Sequence, residues 1–107
     1  MSENVLNNEE LEQVSGGTKV TESWMLQQGK TYATHVDTGY LALRRDPVYD
    51  DGNIIGRLWN TSYVRVDGAV SGSYVQVVVV ECAPDQWGGP GCKYAHGWVN
   101  WTFLETP

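Results

Sequence analysis

The chain has 107 residues and a formal net charge of −6, from 13 acidic and 7 basic side chains. This length is enough for one domain with one modest core. No basic cluster indicates a nucleic-acid surface, and no apolar run approaches the roughly 20 residues of a membrane helix. We therefore expect neither a nucleic-acid partner nor membrane insertion.

The first 17 residues differ in composition from the rest of the chain. They contain four of the acidic residues, no aromatic residue and no base, and they end in Gly16-Gly17. Leu6, Leu11 and Val14 would lie on one side of a helix. A helix this short is marginal in water, so we expect the segment to be disordered, or helical only against a partner. A narrow cleft can grip the bare backbone of two glycines.

Residues 1–17 resemble a double-glycine leader peptide, the export signal of many bacteriocins of Gram-positive bacteria. The family pattern has apolar residues four, seven and twelve positions before the cleavage point, an acid at eight, and Gly-Gly last. The matching residues are Val14, Leu11, Leu6, Glu10, Gly16 and Gly17. The resemblance implies recognition by an ABC transporter with a cysteine-peptidase domain, and cleavage between Gly17 and Thr18. It also implies a product that is secreted or held at the cell surface. The alternative is an acidic tail that happens to end in Gly-Gly.

Residues 18–107 are predicted to form the folded domain. The pattern of residues 18–30 fits either a short helix or an extra strand and does not decide between them. Residues 68–73 are predicted to be a loop. Short alternating runs separated by turn residues predict a small antiparallel barrel. The predicted strands are residues 31–36, 41–44, 63–66 and 74–81.

The alternation predicts which side chains face the core. We expect Leu43 to point inward and Arg44 to point outward. In the strand at residues 74–81, one face carries three valines and is expected to be buried. The other face carries Val78 and Val80, which need a second cover. The region around Trp24 is the candidate for that cover.

Residues 41–58 resemble the bacterial SH3-like (SH3b) family. The family run is Leu-x-Val-Arg-x-x-Pro, a polar loop, then Val-Ile-Gly-x-Leu. Here it reads Leu41-x-Leu43-Arg44-x-x-Pro47, then Ile54-Ile55-Gly56-x-Leu58 after six loop residues. The last piece, residues 97–104, is similar to the family's closing Gly-Trp-Val-x-x-x-Tyr-Leu, so the resemblance covers residues 32–104. It implies an all-β fold, a small SH3-like antiparallel barrel.

The chain departs from the family pattern in two places. The family usually has a glycine in the turn that follows Leu58, and here Trp59-Asn60-Thr61 replaces it. We expect Asn60 to supply the left-handed residue of this turn, and Trp59 to be exposed. The second departure is a long hairpin loop from Cys82 to Cys92.

Two cysteines at the base of a hairpin can reach disulfide geometry, with Cα atoms about 5.5 Å apart. An even cysteine count in an exported protein favours pairing. We therefore predict a disulfide between Cys82 and Cys92, worth about 2–3 kcal/mol, with two reduced thiols as the alternative. A metal site of Cys82, Cys92 and His96 lacks a fourth ligand. We predict no metal and no cofactor.

The sequence carries no recognisable catalytic motif. Its two histidines are His35, on a predicted strand, and His96, near the end of the chain. There is no Gly-x-Ser-x-Gly motif, and the glycines at residues 88–91 lack the lysine and helix of a phosphate loop. We therefore predict that the protein is not an enzyme.

Five Trp and six Tyr against one Phe is an unusual balance, and amphipathic rings suit binding surfaces. The resemblance to SH3b domains implies a secreted binding module for cell-wall peptidoglycan or a short peptide. The candidate ligand-binding residues are Tyr40, Tyr49, Trp59, Trp87, Trp98 and Trp101. Two alternatives remain open: a bacteriocin-like antimicrobial or competition factor, and a protein-interaction domain on the producer's surface.

Overall fold

The computed structural model describes residues 18–106, and these form a single antiparallel sheet with short 3-10 helices. Every neighbouring pair of strands in the sheet is antiparallel, which confirms the predicted all-β class. The strands are β1 Thr31–Thr34, β2 Leu41–Arg44, β3 Ile54–Leu58, β4 Tyr63–Ser71, β5 Tyr74–Glu81, β6 His96–Asn100 and β7 Leu104–Glu105. Their order across the sheet is β3-β2-β6-β5-β4-β1-β7.

The predicted leader lies outside the described residues. It covers residues 1–17 and includes every residue proposed for recognition and cleavage, namely Leu6, Glu10, Leu11, Val14, Gly16 and Gly17. Both the leader and the boundary after Gly17 therefore stay predictions.

Strand β5 shows most clearly how the sequence pattern builds the core. Its bounds are those predicted, and Val75, Val77 and Val79 are fully buried on one face. Side chains alternate between the two faces of a strand, so these three valines share the core face, and Val78 on the opposite face is buried as well. Core residues come from all seven strands, including Leu58 on the β3 edge and Leu104 on the β7 edge.

The sheet curls because the segment after β3 returns to β1. Thr34 donates its backbone N–H to the carbonyl of Ser62 at 3.0 Å. The side-chain amide of Asn60 pairs with both backbone groups of Val36, each at 2.8 Å. The left-handed residue of this turn is Thr61, with φ 76°, and not Asn60 as predicted. Asn60 serves the turn through its side chain instead.

Residues 18–28 close one end of the core. Val20 is buried, and Met25 and Leu26 pack against the core from the 3-10 helix Ser23–Met25. The hydroxyl of Tyr32 donates to the carbonyl of Met25, which holds this helix in place. Trp24 then points to solvent and is 74% exposed. Trp24 itself therefore does not provide the cover predicted for the outer valines of β5, of which Val78 is buried, with 6% of its surface exposed.

The hairpin between β4 and β5 is longer than predicted. Strand β4 continues through most of the predicted loop at residues 68–73, with a register shift between Val66 and Val70. Gly72 makes the turn in the left-handed conformation, with φ 58°. A bulge lets a strand keep its partner across residues that have little strand propensity of their own.

Strand β1 and the closing strand are shorter in the structure than the sequence predicts. Strand β1 ends two residues before the predicted limit of residue 36. The closing piece is not one strand, because the 3-10 helix Trp101–Phe103 separates β6 from β7. The side chain of Asn100 accepts from the backbone N–H of Thr102 at 3.0 Å and so caps that helix.

Candidate functional site

Three of the six predicted ligand-binding residues, Tyr40, Tyr49 and Trp87, lie on one continuous surface, and a fourth, Trp59, is buried beneath it. Tyr40 is at its centre, because it both packs in an aromatic cluster and lines the adjoining cleft. Trp59 and Trp87 belong to the cluster, and Tyr49 belongs to the cleft. Tyr40 stands at the start of β2, where the chain leaves the bend at residues 37–39.

The aromatic cluster consists of Tyr40, Trp59 and Trp87, packed at angles to one another. Their ring centroids are 5.3 to 5.6 Å apart. Both contacts of Trp87 are edge-to-face, the arrangement that ring quadrupoles favour. Trp87 remains 67% exposed, so it offers an aromatic surface to solvent.

Trp59 is buried, with 5% of its surface exposed, which corrects the prediction that it faces solvent. The loop at residues 82–92 folds over it. Its indole N–H donates to Oδ1 of Asp85 at 3.2 Å, so the polar end of the ring is satisfied. The loop at residues 82–92 therefore supplies the cover for Trp59.

Arg57 and Asp85 form an ion pair beneath the cluster. Nη2 of Arg57 lies 2.6 Å from Oδ2 of Asp85, whose side chain is only 6% exposed. The guanidinium also lies 5.2 Å from the ring centroid of Trp87. The hydrogen bond from Arg57 lowers the pKa of Asp85, and the backbone N–H of Trp87 and the indole of Trp59 lower it further. Asp85 in turn raises the pKa of Arg57.

A cleft of about 540 Å³ opens beside the cluster. This volume is in the range of sites that hold small ligands or peptide side chains. It lies between the bend after β1 and the loop that joins β2 to β3. The residues that line it are Val36, Asp37, Thr38, Tyr40, Leu41, Ala42, Arg44, Tyr49, Asp51, Ile54, Tyr74, Asn100 and Phe103.

Arg44 is buried against the cleft, although the alternation of β2 predicts that it points outward. The register with β3 shifts between Leu43 and Arg44, so both side chains are covered. Nη1 of Arg44 donates to the carbonyl of Asp50 at 2.8 Å and to Oδ1 of Asn53 at 3.1 Å. The ring of Tyr49 lies over the guanidinium, with 4.7 Å to its centroid.

The loop from β2 to β3 is held by its own side chains. Residues Asp51–Asn53 form a 3-10 helix, and Oδ1 of Asp50 accepts from the N–H of Gly52 at 2.9 Å. Asn53 is buried and bonds back to the carbonyl of Val48 at 3.1 Å. These contacts fix the wall of the cleft that carries Tyr49.

Trp98 and Trp101 do not line the cleft. Trp98 pairs with Arg44 across β2 and β6, and its side chain is half-buried. Trp101 packs against the core, and its indole N–H donates to the carbonyl of Gly72 at 2.8 Å. The structure therefore gives Trp101 a packing role at the turn between β4 and β5.

Cys82 and Cys92 are free thiols that lie near each other but not at bonding distance. The two sulfurs approach the same backbone carbonyl, that of Arg57, at 4.0 and 3.8 Å. Burial raises the pKa of the Cys92 thiol to about 12, so this thiol is protonated at neutral pH. The predicted disulfide is not formed in this structure.

Within residues 18–106 no group of three or more His, Cys, Asp and Glu side chains is arranged to hold a metal ion. The same residues contain no helix long and apolar enough to span a membrane. His35 lies 3.8 Å from Glu105, and His96 lies 3.6 Å from Asp67, both at exposed positions. Neither histidine lines the cleft.

Comparison of the chain with known protein families, curated proteins and solved structures finds no match.

Proposed function

We propose that the protein is a secreted, non-enzymatic SH3-like binding module that recognises cell-wall peptidoglycan or a short peptide. The observation that carries this proposal is the cleft beside the aromatic cluster, which joins Tyr40 and Tyr49 to Trp87 on one surface. Aromatic walls with a few polar groups suit an extended peptide or a sugar ring. The resemblance to SH3b domains supports the same class of ligand.

Export rests on the double-glycine resemblance of residues 1–17, and one structural detail supports cleavage after Gly17. Thr18 already belongs to the folded domain, because its carbonyl accepts from the N–H of Thr106 at 2.8 Å. Its own N–H donates to Oγ1 of Thr106 at 2.9 Å. Removal of the leader at this point would therefore leave every described strand intact.

We further propose that Cys82 and Cys92 form a disulfide after export. Each thiol loses a proton and an electron, and a disulfide oxidant takes up both electrons and both protons as it becomes two thiols. The proximity of the two sulfurs supports this step. The mass of the protein from culture medium tests export and oxidation together. We expect the mass of a chain that begins at Thr18 and is lighter by two hydrogens than its reduced form. A full-length, reduced chain found only in cells would contradict both export and oxidation.

The binding proposal is tested by sedimentation with purified peptidoglycan. Tyr49→Ala is expected to leave more protein in the supernatant than the unaltered chain, because Tyr49 forms part of the cleft wall. Tyr94→Ala is the matched control. Tyr94 is 70% exposed against 75% for Tyr49, and each ring lies beside a cationic side chain. Equal recovery of all three proteins in the supernatant would reject the proposal.

The leader resemblance also favours a second candidate, a bacteriocin-like competition factor that acts by binding a wall component. The described residues contain no membrane-spanning helix, so we base this candidate on recognition and not on pore formation. A growth assay of neighbouring Gram-positive strains with the cleaved protein distinguishes the two. Inhibition that Tyr49→Ala abolishes supports the second candidate, and normal growth excludes it.

A further inference from the structure

We infer that the cleft binds a positively charged side chain of a peptide, a lysine ammonium or an arginine guanidinium. This inference rests on the proposed binding function and specifies its ligand. It follows from the charged groups that line the cleft: the two carboxylates are exposed to solvent, whereas the single guanidinium is buried beneath an aromatic ring.

Two carboxylates stand at the cleft, on separate loops. Asp37 is fully exposed, and Nε2 of His35 lies 3.9 Å from its carboxylate. Asp51 is exposed and forms no ion pair with another described residue. Both loops are held in place by other contacts, so the carboxylates do not need to move to meet a ligand.

Arg44 is the only basic residue among the described residues that line the cleft. Its guanidinium donates to the carbonyl of Asp50 and to the side chain of Asn53, and the ring of Tyr49 covers it. Its acceptors are neutral, so it keeps its positive charge, but it is only 8% exposed, and a ligand that arrives from solvent meets the two exposed carboxylates first. Two carboxylates against one guanidinium leave the charged side chains that line the cleft with a formal net charge of −1, which favours a cationic ligand over an anionic one.

The aromatic walls strengthen the preference for a cation. Tyr40, Tyr49, Tyr74 and Phe103 all line the cleft. Cations are attracted to the faces of such rings, by more when water is excluded. A cleft of about 540 Å³ has room for a long side chain together with its flanking backbone. Carboxylates and aromatic faces together recognise a cation better than either group alone.

The test uses the full-length protein and the peptide acetyl-Gly-Gly-Lys-Gly-Gly-amide, followed by NMR of the backbone amides. We expect the lysine peptide to shift amides of residues 36–54, and the same peptide acetylated on the lysine nitrogen to bind at least about fivefold more weakly. The same peptide with arginine in place of lysine shows which of the two cations the cleft binds more tightly. Binding should weaken as salt is added, because the carboxylates are exposed.

Two variants make the assignment specific. The double change Asp37→Asn and Asp51→Asn is expected to weaken lysine-peptide binding by about fivefold or more, since both carboxylates are neutralised. Asp67→Asn, which changes an exposed carboxylate outside the cleft lining, is expected to leave binding unchanged. Folding of each variant is checked from its amide spectrum.

The outcomes separate this inference from the proposed function. If purified peptidoglycan binds at the cleft but the acetylated and free lysine peptides bind equally, the cation preference is wrong and the binding module stands. Preference for a neutral sugar fragment over both peptides would also overturn it. If neither peptides nor peptidoglycan perturb residues 36–54, the proposed function itself fails.

Discussion

Oδ2 of Asp85 lies 2.6 Å from Nη2 of Arg57, and this ion pair fastens the loop between the two cysteines to strand β3. The same carboxylate accepts from the backbone N–H of Trp87 at 2.8 Å and from the indole of Trp59 at 3.2 Å. The Asp85 side chain therefore fixes the loop to β3, positions Trp87 and accepts the hydrogen bond of the Trp59 indole. The aromatic half of the proposed binding surface depends on Asp85.

Asp85→Ala is expected to release the loop and loosen the aromatic cluster. The change leaves the Arg57 guanidinium without its partner and the Trp59 indole without its acceptor, so the melting temperature should fall. Tryptophan fluorescence should shift to the red as water reaches Trp59. Asp46→Ala is the control, because its pair with Arg45 is exposed on both sides and contributes little. Equal melting temperatures for the two variants would contradict this role.

Stability should decrease in acid through the same carboxylate. The pKa of Asp85 is lower in the folded protein than the ordinary Asp value of about 4. Its contribution is therefore complete above that ordinary value and is lost as the pH falls through the lowered folded pKa. Chemical unfolding at a series of pH values, for the unaltered chain and for Asp85→Asn, measures the difference. The gap between the two proteins should narrow in acid; a constant gap would argue against the ion pair.

Tyr32→Phe is expected to destabilise the domain by about 1–3 kcal/mol, because two backbone groups lose their partner. The Tyr32 hydroxyl donates to the carbonyl of Met25 and accepts from the N–H of Gln27 at 3.0 Å. The matched change Tyr63→Phe should have little effect, since the Tyr63 hydroxyl bonds to no other described residue. Urea unfolding of both variants measures the difference, and similar midpoints would show that the hydroxyl does not hold residues 18–28.

Gly97→Ala is expected to destabilise the sheet where β6 passes β2. A Cβ at this position would lie 2.7 Å from the backbone carbonyl of Arg44 and 2.9 Å from a methyl of Leu43. Relief requires a shift of the backbone, which costs about 1–3 kcal/mol. Gly91→Ala is the control, because the space around that residue is open. Calorimetry that finds the two melting temperatures unchanged would contradict the close approach of these strands.

The sequence predicts those parts of the fold in which a local pattern decides the structure. Strand β5 has its predicted bounds because alternate valines must be buried on one face. Strand β2 also has its predicted bounds, but Arg44 does not point as predicted. Its burial depends on a register shift opposite β3, and a shift of this kind is a property of two paired strands and not of either sequence alone.

The sequence likewise predicts only part of the candidate site, because long-range contacts decide the rest. Tyr40, Tyr49 and Trp87 could be selected as aromatic residues in polar loops, and all three lie on the proposed surface. The burial of Trp59 depends on Asp85, which is 26 residues away in sequence. No local sequence pattern singles out Asp37 or the Arg57–Asp85 pair. Only the folded chain brings these charges together.

The pairing of residue 18 with residue 106 has a consequence for synthesis. The ribosome releases Val20 early, yet the carbonyl that accepts from its N–H belongs to Leu104. Strand β1 likewise lacks a neighbour on one side until β7 has emerged. The nascent chain therefore carries an open sheet edge, a surface prone to pairing with other chains, until β7 has left the ribosome.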